Sequence, residues 1–130
     1  MFKYDFINNA YKCIYLIVNH KNKSYYCGKA IDLHTRLKNC SGHPYRNDDD
    51  IIYILEQNVD TIHLEYMWLW WFKHNSYKDY KCLNKDFNTG LRFKVASKNP
   101  KITLSHVDNT NYHKYCKLGY IKDCSGLITA

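Results

Sequence analysis

The first third of the chain contains the feature that most constrains its fold: two stretches typical of β-strands, joined by a short polar turn. The stretch from Tyr11 to Val18 is rich in Ile, Val and Tyr, which favour strands. The next residues, Asn19 to Lys23, are all polar, and Ser24 to Cys27 resumes a strand-like pattern. The sequence therefore predicts an antiparallel hairpin whose loop is longer than the two-residue type.

Further elements follow the hairpin. Gly28 is predicted to end the second strand, and Asp32 is placed to cap a helix that ends near Asn39. The apolar run from Ile51 to Leu55 starts with β-branched residues and predicts a third strand. The order strand, strand, helix, strand indicates a small antiparallel sheet that is flanked by helices.

A second helix is predicted from Thr61 to about His74, with Asp60 as its cap. Four of its large side chains recur at helical spacing and should face the core: Leu64, Trp68, Trp71 and Phe72. Trp70 falls off this stripe, so we expect it to be exposed at an interface.

These elements predict an α+β fold with a three-stranded antiparallel sheet, in a core that covers residues 1–90. Residues 91–130 form a predicted C-terminal extension that packs on this core and supplies substrate contacts or an oligomer interface. Within it we expect strands over 92–96 and 102–107 and a short helix over 111–118.

Charge and cysteine usage indicate the partner and the compartment. Nineteen Lys and Arg residues against twelve Asp and Glu give a net charge of +7, which favours a polyanionic partner such as double-stranded DNA. No apolar signal segment opens the chain and no run is long enough to cross a bilayer, so we expect a cytoplasmic protein with reduced thiols. The many Tyr and Asn residues indicate an AT-rich source such as a phage or another mobile element.

Three residues in and after the hairpin suggest phosphodiester chemistry. Tyr15 and Tyr26 lie on adjacent predicted strands, and Arg36 lies one turn into the helix that follows. A tyrosine can relay a proton when a cation lies beside it, and the planar guanidinium of arginine suits a phosphate. The order of these residues therefore predicts a phosphate-sized cluster on one face of the sheet.

The same stretch resembles the signature of the GIY-YIG nuclease superfamily. Cys13-Ile14-Tyr15 matches its first tripeptide and Tyr26-Cys27-Gly28 its second, and Lys29 to Leu37 matches the following Lys-Ala-x-Asp-Leu-x-x-Arg-Leu pattern. The two departures are cysteines at positions whose role in the family is structural. The resemblance covers about residues 11–90.

What the resemblance implies is a metal-dependent DNA endonuclease. Tyr15 would act as the general base toward the attacking water, with Tyr26 assisting. Arg36 would stabilise the transition-state charge and contact DNA. Glu65 would bind Mg²⁺ or Mn²⁺, and Asn84 would support the site. Glu56 and Asn88 are the alternatives to the last two residues.

The resemblance also implies a histidine about four residues after the arginine, where this chain has Cys40. His43, in the predicted loop, and His34, on the predicted helix, are the candidates to replace it. Lys29 and Lys38 would hold the DNA backbone.

Two other functions stay open from the sequence: an inactive nucleic-acid-binding module, or an interaction protein that retains the same fold. A single active site nicks one strand most simply, so cutting both strands would require a homodimer or sequential events.

Overall fold

The chain forms an α+β fold around one mixed sheet. The computed structural model describes residues 1–39, 49–59 and 61–84, together with residues 114, 117 and 128. In chain order the elements are β1 (Phe2–Lys3), β2 (Tyr11–Asn19), β3 (Ser24–Asp32), α1 (Leu33–Asn39), β4 (Ile51–Glu56), α2 (Thr61–His74) and β5 (Lys81–Cys82). The strands lie in the order β1-β4-β2-β3-β5, and only the pairing of β3 with β5 is parallel.

The predicted three-stranded sheet is the centre of a five-stranded one, so the predicted strand number is wrong. β2, β3 and β4 pair antiparallel, as expected. The two strands that the prediction omitted are edge strands of two residues each: β1 pairs with β4, and β5 pairs with β3 at Ser24 and Tyr25. A two-residue segment is too short to show the alternation by which a strand is predicted from sequence.

Gly28 does not end the second strand, contrary to the sequence prediction. β3 continues through it to Asp32, which pairs with Tyr11, while Gly28 itself pairs with Tyr15. Glycine in a strand interior marks either a break or a place where another group approaches the backbone closely, and here the second case applies.

The two helices pack on opposite faces of the sheet, because side chains alternate along each strand. One set of β2 residues packs with α2: Ile14, Leu16 and Val18. The alternate set packs with Leu33 and Leu37 of α1: Cys13, Tyr15 and Ile17. We call these the α2 face and the α1 face.

α2 is buried on every side along its central part, which corrects the expectation that Trp70 is exposed. Every residue from Met67 to Phe72 is buried, and Trp70 is only 3% exposed. Its ring stacks on His74 with centroids 5.5 Å apart, and the Lys73 ammonium lies 4.3 Å from its centroid. Ile128, near the C-terminus, packs against the same cluster. A helix that is apolar all round is buried all round. The predicted apolar stripe of α2 therefore does not show that Trp70, which lies off it, faces solvent.

α1 begins at a double cap. Asp32 Oδ1 accepts a hydrogen bond from the Thr35 amide at 3.0 Å, which confirms the predicted N-cap. Asn9 supports it: its Nδ2 donates to Asp32 Oδ1 at 2.7 Å, and its Oδ1 accepts from the His34 amide at 2.8 Å. These bonds fix where the chain turns from β3 into the helix that carries Arg36.

Some sequence predictions fall on other parts of the chain. The Asp60 cap, the boundary at residue 90 and the elements expected over 92–96, 102–107 and 111–118 lie outside the described residues. Within the described part, neither helix has the length and apolar character that crossing a membrane requires.

The cap predicts a pH-dependent stability. Hydrogen bonds from Asn9 and from the Thr35 amide lower the pKa of Asp32 below its usual 3.8. A carboxylate whose pKa is lower in the folded state stabilises fully above its unfolded pKa, and this contribution is lost as the pH falls through the folded value. We expect Asp32→Ala to lower the urea midpoint of unfolding at neutral pH, measured by tryptophan fluorescence. The difference from wild type should shrink as the pH falls below 3.8 and through the lower pKa of the folded state.

Asp32→Asn is the matched control, because an asparagine oxygen can still cap the helix but does not titrate. Its midpoint at neutral pH should lie between those of wild type and Asp32→Ala. An Asp32→Ala midpoint equal to that of wild type at neutral pH would show that the cap does not stabilise α1.

Candidate active site

The candidate site is built around the side chain of Tyr15. This tyrosine is fully buried on the α1 face, and its register partner across the β2–β3 pair is Gly28. A Cβ atom placed on Gly28 would lie 2.6 Å from both Cζ and Oη of Tyr15. No real Cβ contact is that short, so the phenol occupies the space that any other side chain at position 28 would need. Gly28 is therefore part of the site, which sequence interpretation missed by treating it as a strand end.

Tyr26 lies beside this phenol. It is two residues before Gly28 on β3, so it shares the α1 face and is the diagonal neighbour of Tyr15. The ring centroids are 6.5 Å apart and the planes are inclined by 46°. Unlike Tyr15, Tyr26 is half-buried, and its ring packs at the rim of the α1-face cluster.

Arg36 reaches the same place from α1. Its side chain is exposed, and its guanidinium donates a hydrogen bond to the Tyr15 hydroxyl. The structure thus brings together the three residues that the sequence grouped, with one buried phenol, one half-buried phenol and one exposed cation.

The electrostatics of Tyr15 are set by its burial. Desolvation raises its pKa well above the usual value of 10.0, and repulsion from Tyr26 raises the pKa further. The charge and hydrogen bond of Arg36 act in the opposite direction without reversing the shift. The hydroxyl of Tyr15 therefore stays protonated at neutral pH, which opposes the role of general base that the resemblance implies for it.

The two cysteines that depart from the family signature are core residues. Cys13 is buried on the α1 face, where desolvation raises its pKa to about 11, so it stays a neutral thiol. Cys27 is buried on the α2 face. Each therefore fills space in the core on its own side of the sheet.

Asn84 binds the outer edge of β3. Its Nδ2 donates to the Cys27 carbonyl at 2.8 Å, and its Oδ1 accepts from the Cys27 amide at 2.9 Å. Since β5 pairs with β3 only at Ser24 and Tyr25, this side chain continues the pairing where the backbone of β5 stops. Asn84 thus holds β3 between Tyr26 and Gly28.

Three further charged candidates, Lys29, Glu65 and Glu56, lie on the α2 face of the sheet or on α2 itself. Lys29 pairs with Ile14, so its side chain leaves the sheet on the α2 face. Glu65 is a half-buried residue of α2 itself. Its sequence alternative, Glu56, accepts a hydrogen bond from Trp68 Nε1 at 2.7 Å and so ties β4 to α2.

The remaining candidates are spread more widely. Lys38 is an exposed residue of α1, and His34 Nδ1 lies 3.5 Å from the Tyr4 hydroxyl. Cys40, His43 and Asn88 lie outside the described residues.

A metal ion would need oxygen ligands near the scissile phosphate. Within residues 1–39, 49–59 and 61–84, no group of three or more His, Cys, Asp or Glu side chains is arranged to hold one. Mg²⁺ commonly keeps most of its waters and uses one or two carboxylates, so Glu65 has suitable chemistry. Its helix, however, packs on the face opposite to Tyr15.

Comparison with known proteins adds no identity: no family model, curated protein or solved structure matches this chain.

The close approach of Tyr15 to Gly28 predicts a specific steric defect. Gly28→Ala should destabilise the fold by about 1–3 kcal/mol, because the new methyl group overlaps the buried ring of Tyr15 and forces it to shift. The free energy of unfolding from urea titration measures the loss.

A double-mutant cycle with Tyr15→Leu is the control, because the smaller side chain removes the overlap. The cost of Gly28→Ala should fall in the Tyr15→Leu background. An equal cost in both backgrounds would mean that the phenol is not the cause.

The double hydrogen bond of Asn84 predicts a local effect on β3. Asn84→Ala leaves the Cys27 amide and carbonyl without this partner, at a cost of about 1–3 kcal/mol. Hydrogen exchange at the Cys27 amide should become faster. Asn75→Ala is the matched control, because it removes one hydrogen bond to the Trp71 carbonyl at the end of α2. Unchanged exchange at Cys27 in Asn84→Ala would contradict the pairing.

Proposed function

We propose that this chain is a metal-dependent DNA endonuclease of the GIY-YIG type. The observation that supports it most is the cluster on the α1 face, in which the guanidinium of Arg36 is hydrogen-bonded to the buried hydroxyl of Tyr15 beside the half-buried Tyr26. A cation and a phenol that face solvent together suit a phosphodiester and its attacking water.

Arg36 binds the phosphate in this proposal. Its side chain is exposed, and one of its donors is hydrogen-bonded to the buried Tyr15 hydroxyl. A guanidinium has five N–H donors in a planar fork, so those that remain can bind two phosphate oxygens. Because its charge is permanent, Arg36 also stabilises the charge that develops on phosphorus oxygens in the transition state.

The two tyrosines divide the remaining work. Tyr15 is buried and protonated, so it orients Arg36 and does not take a proton from water. Tyr26 keeps part of its surface open to solvent on the same face, so we assign to it the contact with the attacking water. This exchanges the roles that the family resemblance implies.

Glu65 is the residue that we propose to hold Mg²⁺ or Mn²⁺. When bound, the ion would supply positive charge and ordered water molecules to the DNA substrate. Because α2 packs on the face opposite to Tyr15, the proposal assigns the contact with the attacking water to Tyr26 and the binding of the reacting phosphate to Arg36.

The basic surface supports DNA as the substrate. The chain carries a net charge of +7, and Lys38 is exposed on the same helix as Arg36. Lys29 leaves the sheet on the other face, so it would hold a different part of the backbone. Residues 91–130 are proposed to add substrate contacts or an oligomer interface.

Cleavage of supercoiled plasmid in Mg²⁺ tests the proposal. Arg36→Ala should lower the cleavage rate about a hundredfold or more, since it removes the group that stabilises transition-state charge. Arg36→Lys should recover only part of it, because an ammonium lacks the fork. Tyr26→Phe and Glu65→Gln should also lose activity. Lys21→Ala removes one exposed charge in the hairpin turn and is the matched control.

Wild-type cleavage no faster than that of Arg36→Ala would reject the enzyme. Salt-sensitive DNA binding without cleavage would then support the second candidate, an inactive nucleic-acid-binding module. The observation that favours this second candidate is the position of Glu65 on the helix opposite to Tyr15.

A further inference from the structure

A cleft on the α2 face lies apart from the tyrosine cluster. Its volume is about 510 Å³, within the usual range for small-molecule sites. It lies beside the C-terminal end of α2 and is lined by Met1, Tyr53, Trp71, Ser76, Tyr77, Lys78 and Ile128. Tyr53 pairs with Leu16, whose side chain is on the α2 face, so the sheet separates this cleft from Tyr15.

The aromatic walls of the cleft are held by the core behind them. Trp71 and Tyr77 are buried, and Tyr53 is half-buried on β4. The Trp71 ring makes an edge contact with Trp68 at 6.0 Å, and the Tyr77 ring makes one with Tyr25 at 5.9 Å. These contacts restrain the Trp71 and Tyr77 rings before a ligand binds, which reduces the entropy lost on binding.

A positive charge lies at the cleft. Lys78 is exposed, and its ammonium is 5.9 Å from the centroid of the Tyr77 ring. It follows Tyr77 in a turn where Lys78 and Asp79 both have left-handed backbone angles, with φ of 49° and 59°. Of the described residues that line the cleft, Lys78 is the one whose side chain is charged. The Ser76 hydroxyl donates to the Tyr80 carbonyl at 3.1 Å and so fixes the same turn.

We propose that this cleft binds an unpaired nucleobase together with its phosphate, as found in single-stranded DNA. Aromatic side chains give a surface on which any base can stack, and a lysine at the mouth can bind the phosphate as a point charge. The net charge of +7 favours a polyanion over a neutral aromatic ligand. The proposal rests on the proposed function only for the class of partner, and binding at the cleft does not require cleavage.

Binding of a short oligodeoxyadenylate, followed by the shifts of backbone amide signals of Tyr77 and Lys78, tests the site in the full chain. Tyr53→Leu should weaken binding about tenfold, since stacking contributes about 1–3 kcal/mol per base. Lys78→Gln should weaken it several-fold and reduce its salt dependence. Lys73→Gln is the matched control, because its ammonium lies on Trp70 outside the cleft and the charge change is the same.

Further ligands distinguish the source of the nucleotide. Deoxyadenosine monophosphate that shifts the same amides supports a site for one nucleotide, and an oligonucleotide that alone shifts them supports a site for a strand. A perfectly paired duplex should not shift them. Lys78 is exposed, so Lys78→Gln tests the site even where Tyr53→Leu fails to fold.

Amide shifts that show equal affinity in wild type, Lys78→Gln and Lys73→Gln would overturn the proposal, as would a duplex that shifts the Tyr77 and Lys78 amides as strongly as the single strand does. Arg36→Ala separates the two proposals, because it should lose cleavage and keep these amide shifts. If the wild-type chain shows these amide shifts but does not cleave DNA, the endonuclease proposal is rejected and the proposed nucleotide site in the cleft is supported.

Discussion

The contact between the Tyr15 phenol and the backbone of Gly28 is the constraint on which the rest of the site depends. A phenol can lie across the neighbouring strand only where that strand has no side chain, and in this sheet the Cβ position is filled by Cζ and Oη. β3 stays paired with β2 through position 28 and on to Asp32, which caps the helix that carries Arg36. The absence of a side chain at position 28 thus leaves the space in which the phenol lies beside Arg36.

The sheet separates two chemical environments. On the α1 face the phenols and the guanidinium meet at the surface, whereas on the α2 face Trp, Phe and Tyr rings form the larger core. Two side chains make hydrogen bonds at the ends and edges of the strands. The Asn84 amide pairs with the backbone of β3, and Glu56, at the end of β4, accepts a hydrogen bond from Trp68. Within residues 1–39, 49–59 and 61–84, no side chain belongs to both the aromatic cleft and the tyrosine cluster. A substitution in one of them therefore removes no side chain from the other.

The sequence predicted well what is decided locally. The hairpin, the Asp32 cap and both helices follow from alternation, capping chemistry and helical spacing, and all are present. Gly28 was misread because only its distant partner, Tyr15, decides between a break and a close approach. Trp70 was misread because a helical stripe predicts which residues face the sheet, whereas every residue from Met67 to Phe72 is buried. β1 and β5 form by pairing with β4 and β3, and each is too short to show the alternation of a strand in the sequence.

The buried Tyr15 hydroxyl orients the exposed Arg36 side chain for binding an anion. A long side chain in solvent samples many rotamers, and fixing it on a phosphate costs conformational entropy. The Tyr15 hydroxyl is buried beside Gly28 and its raised pKa keeps it neutral, so its hydrogen bond orients the guanidinium without reducing the positive charge. The same burial that removes Tyr15 as a proton acceptor thus prepares its neighbour to bind an anion. The order Tyr-Tyr-Gly-Arg is then explained by position: a buried anchor, an accessible phenol, a space for the anchor, and a cation that the anchor orients.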